Sequence, residues 1–297
     1  MMVRTCDVQP TQFTEGHFEF VAPKGENCKT WYKIVGDVRS TVSPPLLTLH
    51  GGPGSGHDYL SSLTDLYERY EIPIMYYDQV GCGLSTYFRD KKGDESFWTF
   101  ELYIKELDTL INHLDLQEYH VLGQSWGGML GAAFAARQPA GLQKLILASG
   151  PASLFAQLPP DVRETLEDCN RRGDYESDEY EKVAAVYHGR HLCRLKPWPA
   201  DVLTSFGKLS DDRTAYLTLV TDGVNWQGPS EFIITGTIKD WEGWKLGHEI
   251  KAETLLLNGR WVTLENASHM GQFKDRERFI SLCGSFLSSS SIESKSD

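Results

Sequence analysis

Nowhere in this chain do about 18 apolar residues run together, so no segment has the length and hydropathy expected of a membrane-spanning helix. The opening stretch MMVRTCDVQPTQFTEG has no apolar block after its arginine, and a signal peptide is therefore not expected. The six cysteines, Cys6, Cys28, Cys82, Cys169, Cys193 and Cys283, form no Cys-x-x-Cys pair, which argues against a zinc site or a disulfide framework. They read as the reduced thiols of a cytoplasmic protein. Positive charge is also scarce: 29 Lys and Arg stand against 41 Asp and Glu, for a formal net charge of -12. Such a surface repels nucleic acid and anionic membrane, leaving small molecules or peptides as the expected partners. No internal repeat is visible.

What the 297 residues do contain is enough apolar material, 40%, to bury a full core. Short apolar runs alternate with helical patterns through the first half, the signature of an α/β fold with a mostly parallel sheet and helices on both faces. HFEFVAP and TWYKIVGDV read as an opening pair of strands, followed by a buried strand in PLLTLH (45–50) and a helix in DYLSSLTDLYERY. PIMYYDQ (73–79) is the next strand, residues 97–114 have helical spacing, and YHVLG (119–123) returns to strand. The helix SWGGMLGAAFAARQP is expected to end at Pro139, and KLILAS (144–149) is one more strand. After Gly150 and Pro151 the chain turns helical, charged and aromatic, with no convincing strand before TLLLN at 254. The expected organisation is a first core segment (1–150), a helical insertion (151–236), a second core segment (237–287) and a tail (288–297) that lacks apolar anchors and should be disordered. Residues 161–182 hold nine acidic and four basic side chains, which reads as a solvated helix pair.

The chemistry is concentrated in Gly123-Gln124-Ser125-Trp126-Gly127, a G-x-S-x-G pattern between a predicted strand and a predicted helix. In a nucleophile elbow the turn is so tight that the serine is strained and its flanks tolerate only glycine. Ser125 is the expected nucleophile. Attack on a carbonyl creates an oxyanion that needs fixed N–H donors, and the residue after the nucleophile, Trp126, supplies one. The second is expected from Gly52 in LHGGPGSG (49–56), a loop that follows an earlier strand. His50 is expected to brace that loop, and His57 to start the next helix.

Taken together, HGGPG, YYDQVGCGLST (76–86), GQSWGG, SGPAS (149–153) and GPSEFIITGTIKDW (228–241) resemble the proline iminopeptidase family of α/β-hydrolases, in the family's order and over nearly the whole chain. The resemblance implies release of an N-terminal residue, typically proline, from a peptide or amide. It also implies a helical cap between strands six and seven, a Ser-Asp-His triad, and no metal or cofactor. His269 matches the general base, because WVTLENASHM reads as the last strand and its loop ahead of a closing helix in DRERFISLCGSFL. The glutamate of the G-P-x-E-F motif, here Glu231, is implied to hold the substrate's free amino group through a charge-assisted hydrogen bond. Two alternatives share the motifs: an amide, ester or thioester hydrolase of a specialised biosynthetic pathway, and a non-catalytic chain that keeps only the fold.

One stretch departs from the family. Only Asn258, Gly259 and Arg260 separate TLLLN's apolar run from WVTL, whereas parallel strands need a crossover of about a dozen residues or more. The triad aspartate, a second amine-binding glutamate and the crossover helix, all implied by the resemblance at this point, are missing together. A single contiguous loss, from a wrongly excised exon or an alternative splice form, accounts for all three. Glu265, Asp275, Glu277 and Asp78 are the other carboxylates considered for the acid, and each has a structural reading instead. The expectations are a parallel strand that is shortened, reversed or displaced, a His269 with no carboxylate partner, and little activity.

Overall fold

The structure is a computed structural model that describes residues 12–40, 42–150, 164–165, 168–169, 171–174, 177–187, 189, 192–221, 234–257 and 269–290, the side chains of residues 184 and 187 excepted. Seven strands form one sheet in the order β1-β2-β4-β3-β5-β6-β7. They are β1 (Phe13–Val21), β2 (Asn27–Val35), β3 (Leu46–Leu49), β4 (Ile74–Tyr77), β5 (Tyr119–Gln124), β6 (Leu142–Ala148) and β7 (Glu253–Leu257). The β1–β2 and β2–β4 pairs are antiparallel, and every pair from β4 to β7 is parallel. Sequence pattern accounts for this difference. In β1 the buried Phe18 and Phe20 alternate with exposed neighbours, as suits an edge ribbon, whereas all four residues of β3 and of β4 are buried, as suits strands covered on both faces.

Alternate residues of the central strands feed two cores. Leu47, Leu49, Met75, Val121 and Leu145 pack on one face, under α2 (Phe100–His113) and α3 (Trp126–Ala136). Leu46, Ile74, Tyr76, Leu122 and Ile146 pack on the other, against α1 (Thr64–Tyr70) and the closing helix. Thr99 starts α2 by accepting a hydrogen bond from the Leu102 N–H at 3.3 Å, using one of the donors that a first helical turn leaves free.

Three boundaries differ from the sequence reading. β1 begins at Phe13 because Phe13–Gly16 continue the ladder against Val35–Tyr32. The helix expected in DYLSSLTDLYERY is a 3-10 segment, Asp58–Leu63, followed by α1. α3 stops at Ala136 rather than Pro139, and Gln138, just before the proline, sits at φ 53°, where a helix cannot continue.

Between β6 and β7 the described residues include three helices, α4 (Asp178–Tyr187), α5 (Ala200–Asp211) and α6 (Thr214–Val220). After β7 come α7 (Gly271–Lys274) and the closing helix α8 (Arg276–Ser288). β7 is neither reversed nor displaced: it pairs in parallel with β6 from Lys144↔Glu253 to Ala148↔Leu257. Among the described residues no strand pairs with its other edge. WVTLENAS, the 258–260 junction and Glu265 lie outside the described residues. α8 is fastened to the sheet by Lys144, a buried ammonium that donates to the carbonyls of Phe286 at 2.7 Å and of Ser289. A cation there meets the negative end of the helix and satisfies carbonyls that the last turn leaves open.

Candidate active site

The strand order reverses direction between β3 and β5, whose ends are in register at Leu49↔Gly123. In open α/β sheets ligands bind at such a switch point, beyond the carboxyl ends of the strands. Two loops meet there: residues 50–57 leaving β3 and the turn at Ser125 leaving β5. The serine has φ 57° and ψ -121°, an unfavourable backbone conformation for a residue with a Cβ, and α3 starts immediately after it. The turn holds because the Ser125 N–H donates to the Ala148 carbonyl at 3.0 Å while its own carbonyl accepts from the Gly128 N–H at 2.8 Å. The flanking glycines are required by space. A Cβ on Gly123 would lie 2.1 Å from the Gly127 carbonyl oxygen, and one on Gly127 would lie 1.9 Å from that of Leu49.

Trp126 and Gly52, the expected oxyanion donors, stand at the start of α3 and in the loop after β3. Neither backbone N–H donates to an acceptor among the described residues. The Trp126 indole N–H is spent on Gln79 Oε1 at 2.9 Å, and Gln79 Nε2 in turn donates to the His50 carbonyl at 3.0 Å. His50 accepts the Gln79 backbone N–H at its Nε2, 3.0 Å away, so the ring proton lies on Nδ1 and reaches the Gly51 carbonyl at 2.9 Å. Burial lowers the His50 pKa to about 4, which keeps the ring neutral and able to do both. It braces the loop.

Tyr59 tightens the same corner. Its hydroxyl accepts the Gly51 N–H at 2.6 Å and donates to Gln124 Oε1 at 2.6 Å. Gln124 Nε2 donates to the His269 carbonyl at 3.1 Å, and the Ser149 hydroxyl donates to the same oxygen, also at 3.1 Å. The backbone of His269 is thereby fixed beside the residues flanking Ser125. Its ring is less well provided for. Among the described residues it makes no hydrogen bond to Ser125 Oγ and no ion pair with a carboxylate, and burial alone lowers its pKa to about 4.

Of the other candidate acids that are described, Asp78 and Glu277 are paired, and Asp275 makes no side-chain cap hydrogen bond at the start of α8. Asp78 accepts from the His57 N–H at 2.9 Å, from His57 Nδ1 at 2.8 Å, from the Leu84 N–H at 3.0 Å and from Lys208 Nζ at 3.3 Å. Burial raises its pKa, but His57 and Lys208 outweigh burial and hold the carboxylate well below its usual range. His57 stands at the start of the 3-10 segment, as expected. Asp275 stands at the N-cap position of α8, and Glu277 pairs with Arg69 at 2.7 Å. Glu231, the expected amine ligand, lies outside the described residues. His50, Asp78 and Cys82 bring possible metal-ligand atoms within 4.8 Å of one another. All three are already engaged in hydrogen bonds, and burial holds the Cys82 thiol protonated. Sequence reasoning missed Tyr59, Gln79, Ser205 and Lys208. Only the first two lie near a motif, and none carries a spacing signal.

Comparison with known proteins agrees with this fold. Residues 44–180 match the family model described as alpha/beta hydrolase fold. Proline iminopeptidase of Thermoplasma volcanium is 30% identical over 273 aligned positions, covering 82% of this chain and 88% of the relative. Proline iminopeptidase of Saccharolobus solfataricus is 31% identical, covering 86% of this chain and 87% of the relative. The chain belongs to the proline iminopeptidase family of α/β-hydrolases. Among solved structures, VinJ superposes with a TM-score of 0.80 at 37% identity, over 92% of this chain and 98% of that one. Proline iminopeptidase of Mycobacterium smegmatis superposes with a TM-score of 0.76 at 32% identity, over 91% of this chain and 97% of that one. The alignments also have a deficit on one side. The match to proline iminopeptidase of Clostridium botulinum runs over 307 positions yet takes in 93% of this 297-residue chain, leaving about 30 positions that this chain does not fill.

Proposed function

We propose that this chain is a serine hydrolase of the aminopeptidase type, cleaving N-terminal proline or another small residue from peptides or amides, in a form whose triad is incomplete. The observation that carries the reading is the strained Ser125 at the switch point, pressed against the glycine loop after β3. Ser125 Oγ attacks the carbonyl and His269 accepts its proton. The N–H groups of Gly52 and Trp126 hold the oxyanion, and the intermediate collapses as His269 returns the proton to the leaving amine. Water then repeats the sequence on the acyl-enzyme. Residues 151–236 form the helical cap over this site, and Glu231 binds the substrate's ammonium. No metal or cofactor takes part. The net charge of -12 suits a small cationic substrate better than nucleic acid or a membrane, and a cytoplasmic location fits the five free cysteines of the described residues.

Two observations support impairment. His269 has no carboxylate among the described residues, and its imidazolium, which must form as Ser125 attacks, is disfavoured by about 3 kcal/mol when a pKa ordinarily near 6.5 falls to about 4. The deficit of about 30 positions against full-length relatives also matches the size of one crossover helix with its loops. Incubation with a fluorophosphonate and peptide mapping tests the nucleophile: the label is expected on Ser125, and Ser125→Ala is expected to lose both labelling and any proline arylamide hydrolysis. Equal labelling of parent and variant would sink the assignment. Glu231→Gln, in a form with restored activity, should slow substrates with a free α-amine far more than N-acylated ones. Equal losses on both would remove Glu231 from the amine site.

A further inference from the structure

The geometry points to Tyr59 as the positioning residue that sets both halves of the catalytic apparatus, the oxyanion loop and the backbone of the general base, through one hydroxyl. This rests on Ser125 and His269 being the reacting pair. The phenol oxygen is fully buried and sits at the junction of two bonds of opposite sense, accepting from the Gly51 N–H at 2.6 Å and donating to Gln124 Oε1 at 2.6 Å. The first bond immobilises the His50–Gly51 peptide, one peptide ahead of the Gly52 N–H. The second fixes the Gln124 carboxamide so that its nitrogen points to the His269 carbonyl 3.1 Å away. Gln124 directly precedes Ser125, so nucleophile, oxyanion loop and base meet at a single side-chain pair. Burial raises the phenol's pKa far above its usual range, so the hydroxyl stays a donor at every working pH.

Space reinforces the role. A Cβ on Gly51 would lie 3.0 Å from both Ser125 Cβ and the Tyr59 oxygen, so the loop is pressed onto the elbow with Tyr59 behind it. The other end of Tyr59 is held by α5: its backbone N–H donates to Ser205 Oγ at 3.0 Å. Lys208, one turn further along α5, bonds Asp58 at 2.6 Å and Asp78 at 3.3 Å. The ring therefore cannot withdraw without undocking that helix. Displacing a catalytic group by a fraction of an ångström costs an order of magnitude or more in rate, whereas substrate affinity, set elsewhere in the pocket, is little affected.

Tyr59→Phe in the full chain provides the test, with diisopropyl fluorophosphate as the probe and inactivation followed to separate kinact from KI. We expect kinact to fall about thirtyfold with KI unchanged, and amide exchange over residues 50–52 to accelerate at least tenfold. Gln124→Glu, which keeps an acceptor for the Tyr59 hydroxyl but removes the donor to His269, should lower kinact while leaving exchange over 50–52 at the parent rate. This second variant decides the matter if Tyr59→Phe fails to fold. Parent-like kinact in the folded variants overturns the assignment, as does a loss confined to KI. A parent chain that takes no label at Ser125 overturns the hydrolase reading itself, and Tyr59's part in it.

Discussion

Among the described residues, the carboxyl ends of β3 and β5 carry a closed set of hydrogen bonds, and those of β6 and β7 leave the His269 ring outside one. At the first, the Ser125 backbone is held by Ala148 and Gly128, the loop by His50 and Tyr59, and the Trp126 indole by Gln79. At the second, β7 pairs in full with β6 and the His269 backbone is tied down, yet the imidazole meets no carboxylate among the described residues. The difference teaches that a nucleophile elbow is local and a triad is not. The elbow needs one strand, one tight turn and one helix within a dozen residues. On the reading proposed above, the acid needs a separate loop delivered by a crossover, and the ladder between β6 and β7 forms without calling on that loop.

The sharpest way to break this comparison is to repair the deficient side. Inserting, after Leu257, the loop and crossover segment of a full-length relative, with its aspartate, should raise proline arylamide turnover by about ten-thousandfold, the scale lost when comparable triads lose their acid. An unchanged rate, measured on a folded insertion variant, would mean that the acid is not what this chain lacks.

A smaller effect tests whether the β6–β7 side is structurally sound despite its chemistry. Lys144→Met keeps the buried stem but removes the donor to the Phe286 and Ser289 carbonyls at the end of α8. Removing the ammonium leaves the Ser289 carbonyl without that donor and the Phe286 carbonyl with only Ser289, which should cost about 2 kcal/mol, read as a fall in Tm of about 5 °C. No change in Tm would mean that α8 is not fastened there.

The smallest effect concerns the β3–β5 side. Glu106 is fully buried behind β4, accepts hydrogen bonds from the Thr30 hydroxyl and from the Val80 N–H at 2.9 Å, and has its pKa raised to about 8 by burial. A carboxyl whose folded pKa exceeds its unfolded value contributes fully below about 4.3, and that contribution is lost as pH rises through about 8. Glu106→Gln should therefore leave Tm nearly unchanged at pH 5 and raise it by a few degrees at pH 9, relative to the parent. A parallel pair of Tm curves across that range would refute the buried-acid reading.

Much of this molecule was legible in one dimension. The fully apolar LLTL and IMYY gave buried parallel strands because strands covered on both faces have no polar side to alternate. Gly123 and Gly127 marked the elbow because no Cβ fits at either place. The short link after β7 was legible as an expectation, since chain length alone limits what three residues can span, but residues 258–268 lie outside the described ones. Boundaries were less so: the start of β1 at Phe13 depends on a ladder partner, and the 3-10 turn at Asp58 has the same apolar spacing as a helix.

Sequence by itself determined the elements of the sheet and the tight turn at Ser125, because each depends on residues within a few positions of one another. Only the tertiary structure decided which side chains would hold the site. Tyr59, Gln124 and His269 are far apart in the chain, the first two separated by 65 positions and the last two by 145. Their hydrogen bonds arise because the sheet order sets β3 beside β5 and brings the segment after β7 to the same edge. A hydrogen bond requires its partners within about 3 Å, and no sequence pattern records that proximity.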